Sequence, residues 1–377
     1  MDGSLRIGRL FGIPIELHVT FLLVIPLFAW IIGNQIELTA ELLSEVFGIP
    51  IDTTLIMGQY VPYLLGGAVS LGLFAGVLVH EVAHSVVALR KGMKINAITL
   101  FLFGGVSQME ETTPDPRTEL PMALVGPITS LVVGLVSIGL AYAADAAIAN
   151  RPVAGVFVFF LAYLGLLNVI LFAFNLLPAF PMDGGRVLRA FLARRMSLPR
   201  ATKIAADVGK GFAVVFGVLG LLALNPILVI IAFFIYIGAS QESSAIRYTF
   251  LLQDVTLGQI MSREVMTVDP TTPVHQVLEQ MYATKHLGFP VLERGALVGM
   301  VTLDDIHRAN PIDRDALLVR DVMHPGAISL PPDAPVVDAL RVMSAQNIGR
   351  VPVVEGGELM GIVTRNDIMK VVELREI

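Results

Sequence analysis

The sequence predicts a polytopic α-helical membrane protein with six transmembrane helices and a short membrane-associated β-sheet, joined to a C-terminal α/β module. Three observations carry that expectation. Apolar residues crowd before Gln241, in six segments that approach spanning length. Basic residues fall in alternate loops between those segments. After Gln241 the long apolar runs vanish and a gapless tandem repeat begins.

Composition agrees with a membrane portion. Of the 377 residues, 55% are hydrophobic and 15% charged, and the mean hydropathy is +0.74. A soluble domain is usually about 45–50% apolar and about 25% charged. The net charge of −6 comes without the basic stripe of a nucleic-acid binder, so no nucleic-acid partner is expected. There is no cysteine, which excludes disulfides and thiolate metal ligands and leaves His, Asp and Glu as candidates. No cleavable signal stands out at the N-terminus, because Pro14, Glu16 and His18 interrupt any apolar core. "FGIPIELHVTF" alternates instead like a short strand leading into the first span.

Crossing about 30 Å of hydrocarbon takes about 20 residues of helix. The six segments lie near 17–33, 61–90, 119–144, 153–176, 203–223 and 225–242. The loop 34–60 has no Lys or Arg and reads as outside. Arg90–Lys94, Arg117 and the run Arg186–Lys203 are basic and read as inside. An even count puts both termini and the C-terminal module on the cytoplasmic side of the cell membrane. Between the second and third spans, residues 95–103 are strand-like, Gly104–Gly105 allow a sharp bend, and an acidic, Pro-containing loop follows. An open strand at a membrane surface is a liability unless another chain pairs with it.

In the C-terminal part, Met261, Pro273, Met281, Pro290, Gly299, Thr302 and Asp305 recur 62 positions later as Met323, Pro335, Met343, Pro352, Gly361, Thr364 and Asp367. Each unit reads helix, hairpin, helix, and two such units pack as one soluble module. The chain divides accordingly into 1–245, 246–310 and 311–377.

The chemistry sits in "HEVAH". His80 and His84 are four apart and share one helix face, with Glu81 directly after the first. This is H-E-x-x-H, two imidazoles for zinc and a carboxylate able to take a proton from zinc-bound water. The competing reading is a set of satisfied polar residues at a helix interface. Unpaired ionisable groups inside a span are too costly to favour it. A catalytic site needs a third protein ligand, and "FNLLPAFPMDGGR" offers Asp183. There Pro178 and Pro181 break the helix, and Gly184–Gly185 let the backbone turn. By itself the stretch reads equally well as an ordinary turn.

Together, "HEVAH" and "NLLPAFPMDGG" resemble the two signatures of the site-2 protease family of intramembrane zinc metalloproteases, H-E-x-x-H and N-x-x-P-x-x-x-x-D-G. "GIPIELHVTF", "FGGV" at Phe103–Val106 and "GP" at Gly126–Pro127 are also similar to that family. The tandem repeat resembles paired cystathionine-β-synthase-type (CBS) domains. The resemblance implies one Zn2+ per chain on His80, His84 and Asp183, with Glu81 as general base and then proton donor. It implies that Asn175 steadies the substrate carbonyl, although a polar residue ending a helix is an equally good account. It further implies a transmembrane protein substrate, and the strand at 95–103 with "GGV", placed between the two metal motifs, would offer an edge for the unwound segment to pair with. The CBS resemblance implies adenine nucleotide (ATP, ADP or AMP) in the cleft, contacted by Thr302, Asp305, Thr364 and Asp367. These four residues also suit helix N-capping. CBS pairs associate in twos, so a homodimer is expected.

Two other readings compete. A CBS-regulated metal or ion transporter or channel would also place ionisable groups in spans, but it has no use for Glu81 and would often carry inverted repeats. A catalytically dead scaffold would usually have lost Glu81 or a histidine, and all are present.

Overall fold

The computed structural model describes residues 4–101, 104–109, 115–308 and 316–375. The chain forms two compact units, Met1–Ser244 and Ala245–Ile377.

The first unit opens with a hairpin, β1 (Ser4–Leu10) and β2 (Ile13–His18), of which only the second strand was anticipated. Helix α1 (Phe21–Asn34) follows and bends by 73° into α2 (Ile36–Phe47). The expected first span at 17–33 is therefore corrected. Residues 17–18 end β2, the helix starts at Phe21, and only the bent pair together reaches spanning length. The acid-rich loop expected at 34–60 contains this amphipathic helix. Glu37, Glu41 and Glu45 recur every four residues on its exposed face, while Ile36, Ala40 and Leu43 are buried.

Helix α3 (Val61–Arg90) spans the length expected of it. β3 (Ile95–Phe101) and β4 (Gly104–Met109) form a second hairpin. Three long helices follow the hairpin: α4 (Pro116–Ala147), α5 (Arg151–Asn175) and, after the short α6 (Asp183–Leu192), α7 (Leu198–Leu222). The last, α8 (Pro226–Leu252), is continuous well past the expected end at 242. Among the described residues, five helices are long and apolar enough to span, or six if the bent pair is counted as one broken span.

The four strands form one sheet in the order β1-β2-β3-β4, with β2 and β3 parallel and the other pairs antiparallel. Of the stretch expected to offer an edge, 95–103 with "GGV", β3 is paired on both sides, and only the Gly104–Val106 part, in β4, lies at the edge among the described residues. Residues 102 and 103, with Phe103 of "FGGV", and the acidic stretch at 110–114 lie outside the described residues.

Two packing features place the site. On α3 the buried side is Gly76, His80, His84 and Ala88, spaced by four, so the histidines lie on the face turned into the protein. On α4 the buried stripe is Glu119, Ala123, Gly126, Ser130, Gly134, Ser137 and Ala141. Its small residues let neighbouring helices approach closely.

The second unit contains α9 (Leu257–Ile260), α10 (Val274–Thr284), β5 (Gly288–Glu293), β6 (Ala296–Thr302), α11 (Leu303–Arg308), α12 (Val319–Val322), β7 (His324–Pro325), α13 (Val336–Ala345), β8 (Arg350–Glu355), β9 (Glu358–Thr364) and α14 (Arg365–Arg375). The repeat is exact in register: Gly288 faces Thr302 as Arg350 faces Thr364, and each hairpin bulges at the same place. The leading segments are exchanged. Val319, which opens the second repeat, is buried in the core of the first with Val277, Phe289 and Ile306. Leu257, which opens the first, is buried with Val336, Met343 and Ile368 of the second. The expected boundary at 310/311 falls outside the described residues.

Candidate metal centre

Helix α3 supplies two imidazoles, and α6 brings the carboxylate. His80, His84 and Asp183 are 5%, 6% and 9% exposed. Asp183 Oδ2 lies 3.1 Å from the Nε2 of each histidine, and the two Nε2 atoms are 3.0 Å apart. Among the described residues, these form the one cluster of three with metal-ligating atoms in mutual reach. Tetrahedral zinc with bonds of about 2.0–2.1 Å holds its ligand atoms about 3.3–3.4 Å apart. The triangle fits such an ion after an opening of a few tenths of an ångström.

The other ring nitrogens are held by α4. His84 Nδ1–H donates to the Met122 carbonyl at 2.6 Å, and His80 Nδ1 is bonded to Ser130 Oγ at 2.9 Å. Occupying Nδ1 leaves each Nε2 lone pair for a metal and fixes the ring. Gly126 lies between these two contacts, and a Cβ there would land on His84 Nε2 and beside His80 Nε2. No other residue lets α4 come this close. Ser130 and the Met122 carbonyl escaped the sequence reading. Their signal was the "GPITS" stretch, which could have pointed to Ser130, whereas a backbone carbonyl leaves no mark in a sequence.

Asp183 is the first residue of α6, after the turn through Pro178 and Pro181. The two following glycines serve close packing rather than a sharp turn. A Cβ on Gly184 would strike the Leu177 carbonyl, and one on Gly185 would sit 2.5 Å from Phe180 N.

Glu81 is half-buried beside β4. The Ser107 hydroxyl donates to its Oε2 at 3.0 Å, and Ser85 Oγ is 3.1 Å from Ser107 Oγ. A Cβ on Gly105 would come within 2.5 Å of Glu81 Cγ, so the edge strand packs directly on this carboxylate. Asn175 ends α5 and its amide donates to the Leu171 carbonyl at 3.0 Å. The second amide hydrogen is left for another acceptor. Among the described residues, no hydrogen bond ties Asn175 to the histidine–aspartate cluster.

In the second unit a cleft of about 670 Å³ opens between the repeats. Thr302, Asp305 and Arg308 line it from one side, with His324, Ile348 and Arg350 from the other. Asp305 Oδ2 accepts from Thr302 N at 2.9 Å and Thr302 Oγ at 2.6 Å, and its Oδ1 meets His324 Nδ1 at 2.8 Å. Asp367 repeats the first two contacts with Thr364, at 3.0 and 2.7 Å. Both pairs cap the helices that follow them.

Both parts of the chain are similar to known proteins. The model of peptidase family M50 matches residues 68–146 and 138–216, and that of the CBS domain matches 257–311 and 319–374. The zinc metalloprotease MJ0392 of Methanocaldococcus jannaschii is 34% identical over 377 residues, covering 100% of this chain and 98% of its own. The solved site-2 protease of Methanocaldococcus jannaschii is 36% identical over 64% of this chain and 95% of its own, with a TM-score of 0.44. A structure of CBSX2 in complex with AMP matches 32% of this chain and 97% of its own at 25% identity, with a TM-score of 0.30.

Proposed function

The chain belongs to peptidase family M50, the site-2 protease family of zinc metalloproteases, and from that premise we propose that it cuts transmembrane segments of membrane-protein substrates near the cytoplasmic side, under control of adenine nucleotide at the CBS pair. The observation that carries the proteolytic part is the meeting of His80, His84 and Asp183 beside Glu81. The three converging residues are the ligand set for one Zn2+. Held there, zinc supplies Lewis acidity that makes water nucleophilic near neutral pH and polarises a carbonyl.

The chain's own residues do the rest. Glu81 takes the proton of the attacking water and returns it to the leaving amine. Ser107 holds Oε2 and leaves Oε1 for that transfer. Asn175 turns its remaining amide hydrogen to the substrate carbonyl. A peptide bond in an intact helix has its carbonyl already hydrogen-bonded, so the segment must unwind and its backbone needs new partners. The free edge of β4, packed on Glu81, supplies them.

The depth follows from sequence order. His84 precedes Arg90 by six residues, about 9 Å of helix. With Arg90–Lys94 inside by the positive-inside rule, both termini and the CBS pair are cytoplasmic. Residues 1–245 carry proteolysis, and 246–310 with 311–377 carry regulation, as a homodimer joined through the CBS domains. Asp305 and Asp367 take ribose hydroxyls, with Thr302 and Thr364 near the phosphates. The transporter reading gives neither Glu81 nor the edge strand a role.

The test is cleavage of a membrane substrate by purified protein with and without chelator, beside Glu81→Gln. The expected result is zinc retained and cleavage reduced by about 10²–10⁴-fold. Full activity in Glu81→Gln would remove the assigned role.

A further inference from the structure

The third ligand sits at the free start of a ten-residue helix whose preceding residue, Met182, provides no side-chain cap. Something else must set where that helix stands. Six residues beyond Asp183, about 9 Å along the axis, is Arg189, which is only 3% exposed. Its Nε donates to Glu119 Oε1 at 2.9 Å, Nη2 donates to the same oxygen, and Nη1 donates to Glu242 Oε1 at 2.6 Å. The Phe180 ring lies 4.8 Å from its Cζ. One side chain thus fastens α6 to α4, to α8 and to the turn before Asp183.

The α4 partner is telling. Glu119 is on the same buried stripe as Gly126 and Ser130, three residues before the Met122 carbonyl that holds His84. Helix α4 therefore fixes both imidazoles and, through Glu119 and Arg189, the helix that bears the carboxylate. Among the described residues, Glu119 Oε2 is buried without a hydrogen-bond partner, and Arg189 makes the direct contacts to the other oxygen of that carboxylate. A buried ion pair is an expensive fastening, and apolar residues of similar volume often hold helices together as well. What the rigid fork of an arginine adds is geometry.

We propose that Arg189 is the positioning residue for Asp183. Clamped between Glu119 and Glu242, it sets the axial position of α6 and so the distance of the carboxylate from His80 and His84. The proposal rests on the reading of Asp183 as a zinc ligand.

The experiment measures Zn2+ affinity of the detergent-solubilised full chain by competition with a chromophoric chelator. Variants are Arg189→Lys, which keeps charge but loses the fork, and Arg189→Met with Glu119→Gln, which leaves neither buried charge stranded. Glu242→Gln, at a partly exposed site, keeps the test readable where a buried change prevents folding. Asp183→Ala is the reference. Arg189→Lys and the double variant are expected to weaken zinc binding about tenfold at an unchanged unfolding temperature, with a smaller loss in Glu242→Gln. Cleavage lost at limiting zinc should return as zinc is raised, with substrate KM unaltered. Folded variants that bind zinc like the parent would overturn the proposal, and so would a loss of cleavage that added zinc does not restore. Parent-like zinc affinity in Asp183→Ala would instead remove the ligand reading on which it stands.

Discussion

Ser130→Ala isolates the contribution of α4 to the metal centre. Ser130 is 1% exposed, and its Oγ meets His80 Nδ1 at 2.9 Å. Replacing it with Ala removes one oxygen and leaves the backbone and the packing of α4 unchanged. The imidazole N–H then loses this partner, at a cost of about 1–3 kcal/mol for an unsatisfied buried donor. The ring can relieve part of this by rotating, but rotation carries Nε2 away from Asp183. The zinc-free protein can take that relief and the zinc-bound one cannot, so the penalty falls on the state that binds zinc. At about 1.4 kcal/mol per factor of ten, the expected loss in zinc affinity is about 5- to 140-fold. Losing a metal-orienting partner typically costs about 10–100-fold, which agrees. The assay is chelator competition on the solubilised protein, with thermal unfolding to show that the fold survives. A folded Ser130→Ala protein with zinc affinity within twofold of the parent would refute the argument that Ser130 orients His80.

Gly126→Ala should be harsher, because its methyl would displace both imidazoles. Loss of stoichiometric zinc, read by metal analysis after gel filtration, is the expected result. The chain has no cysteine, so single cysteines can be introduced without background. Cysteines along Gly104–Met109 should cross-link to a cysteine in the substrate segment, and cross-links confined to Ser4–Leu10 would move the docking edge to β1. Asp305→Ala should weaken ATP or AMP binding by the full chain, measured calorimetrically. Because it also removes a helix cap, it should cost about 1 kcal/mol of stability in the second unit. A parent chain that binds neither nucleotide removes the regulatory reading.

The sequence alone determined the five long spans, the tandem repeat and the residues capable of holding zinc, because each is written in local pattern. Hydrocarbon thickness imposes a length on apolar runs, a four-residue step puts His80 and His84 on one face, and a gapless 62-residue offset announces two like units. The bend after Asn34 was not legible, since Gln35 and its neighbours are unremarkable and the turn is made by packing α2 against the α3–α5 core. The sheet order was not legible either, because pairing β2 with β3 joins residues some eighty apart and depends on where α3 returns the chain. Only the tertiary structure decided that Asp183 reaches both imidazoles, that Ser130 and Met122 orient them, and that Arg189 ties the ligand's helix to α4 and α8. These are meetings between distant segments. Local propensity names the groups able to meet, while burial and close helix packing decide which of them do.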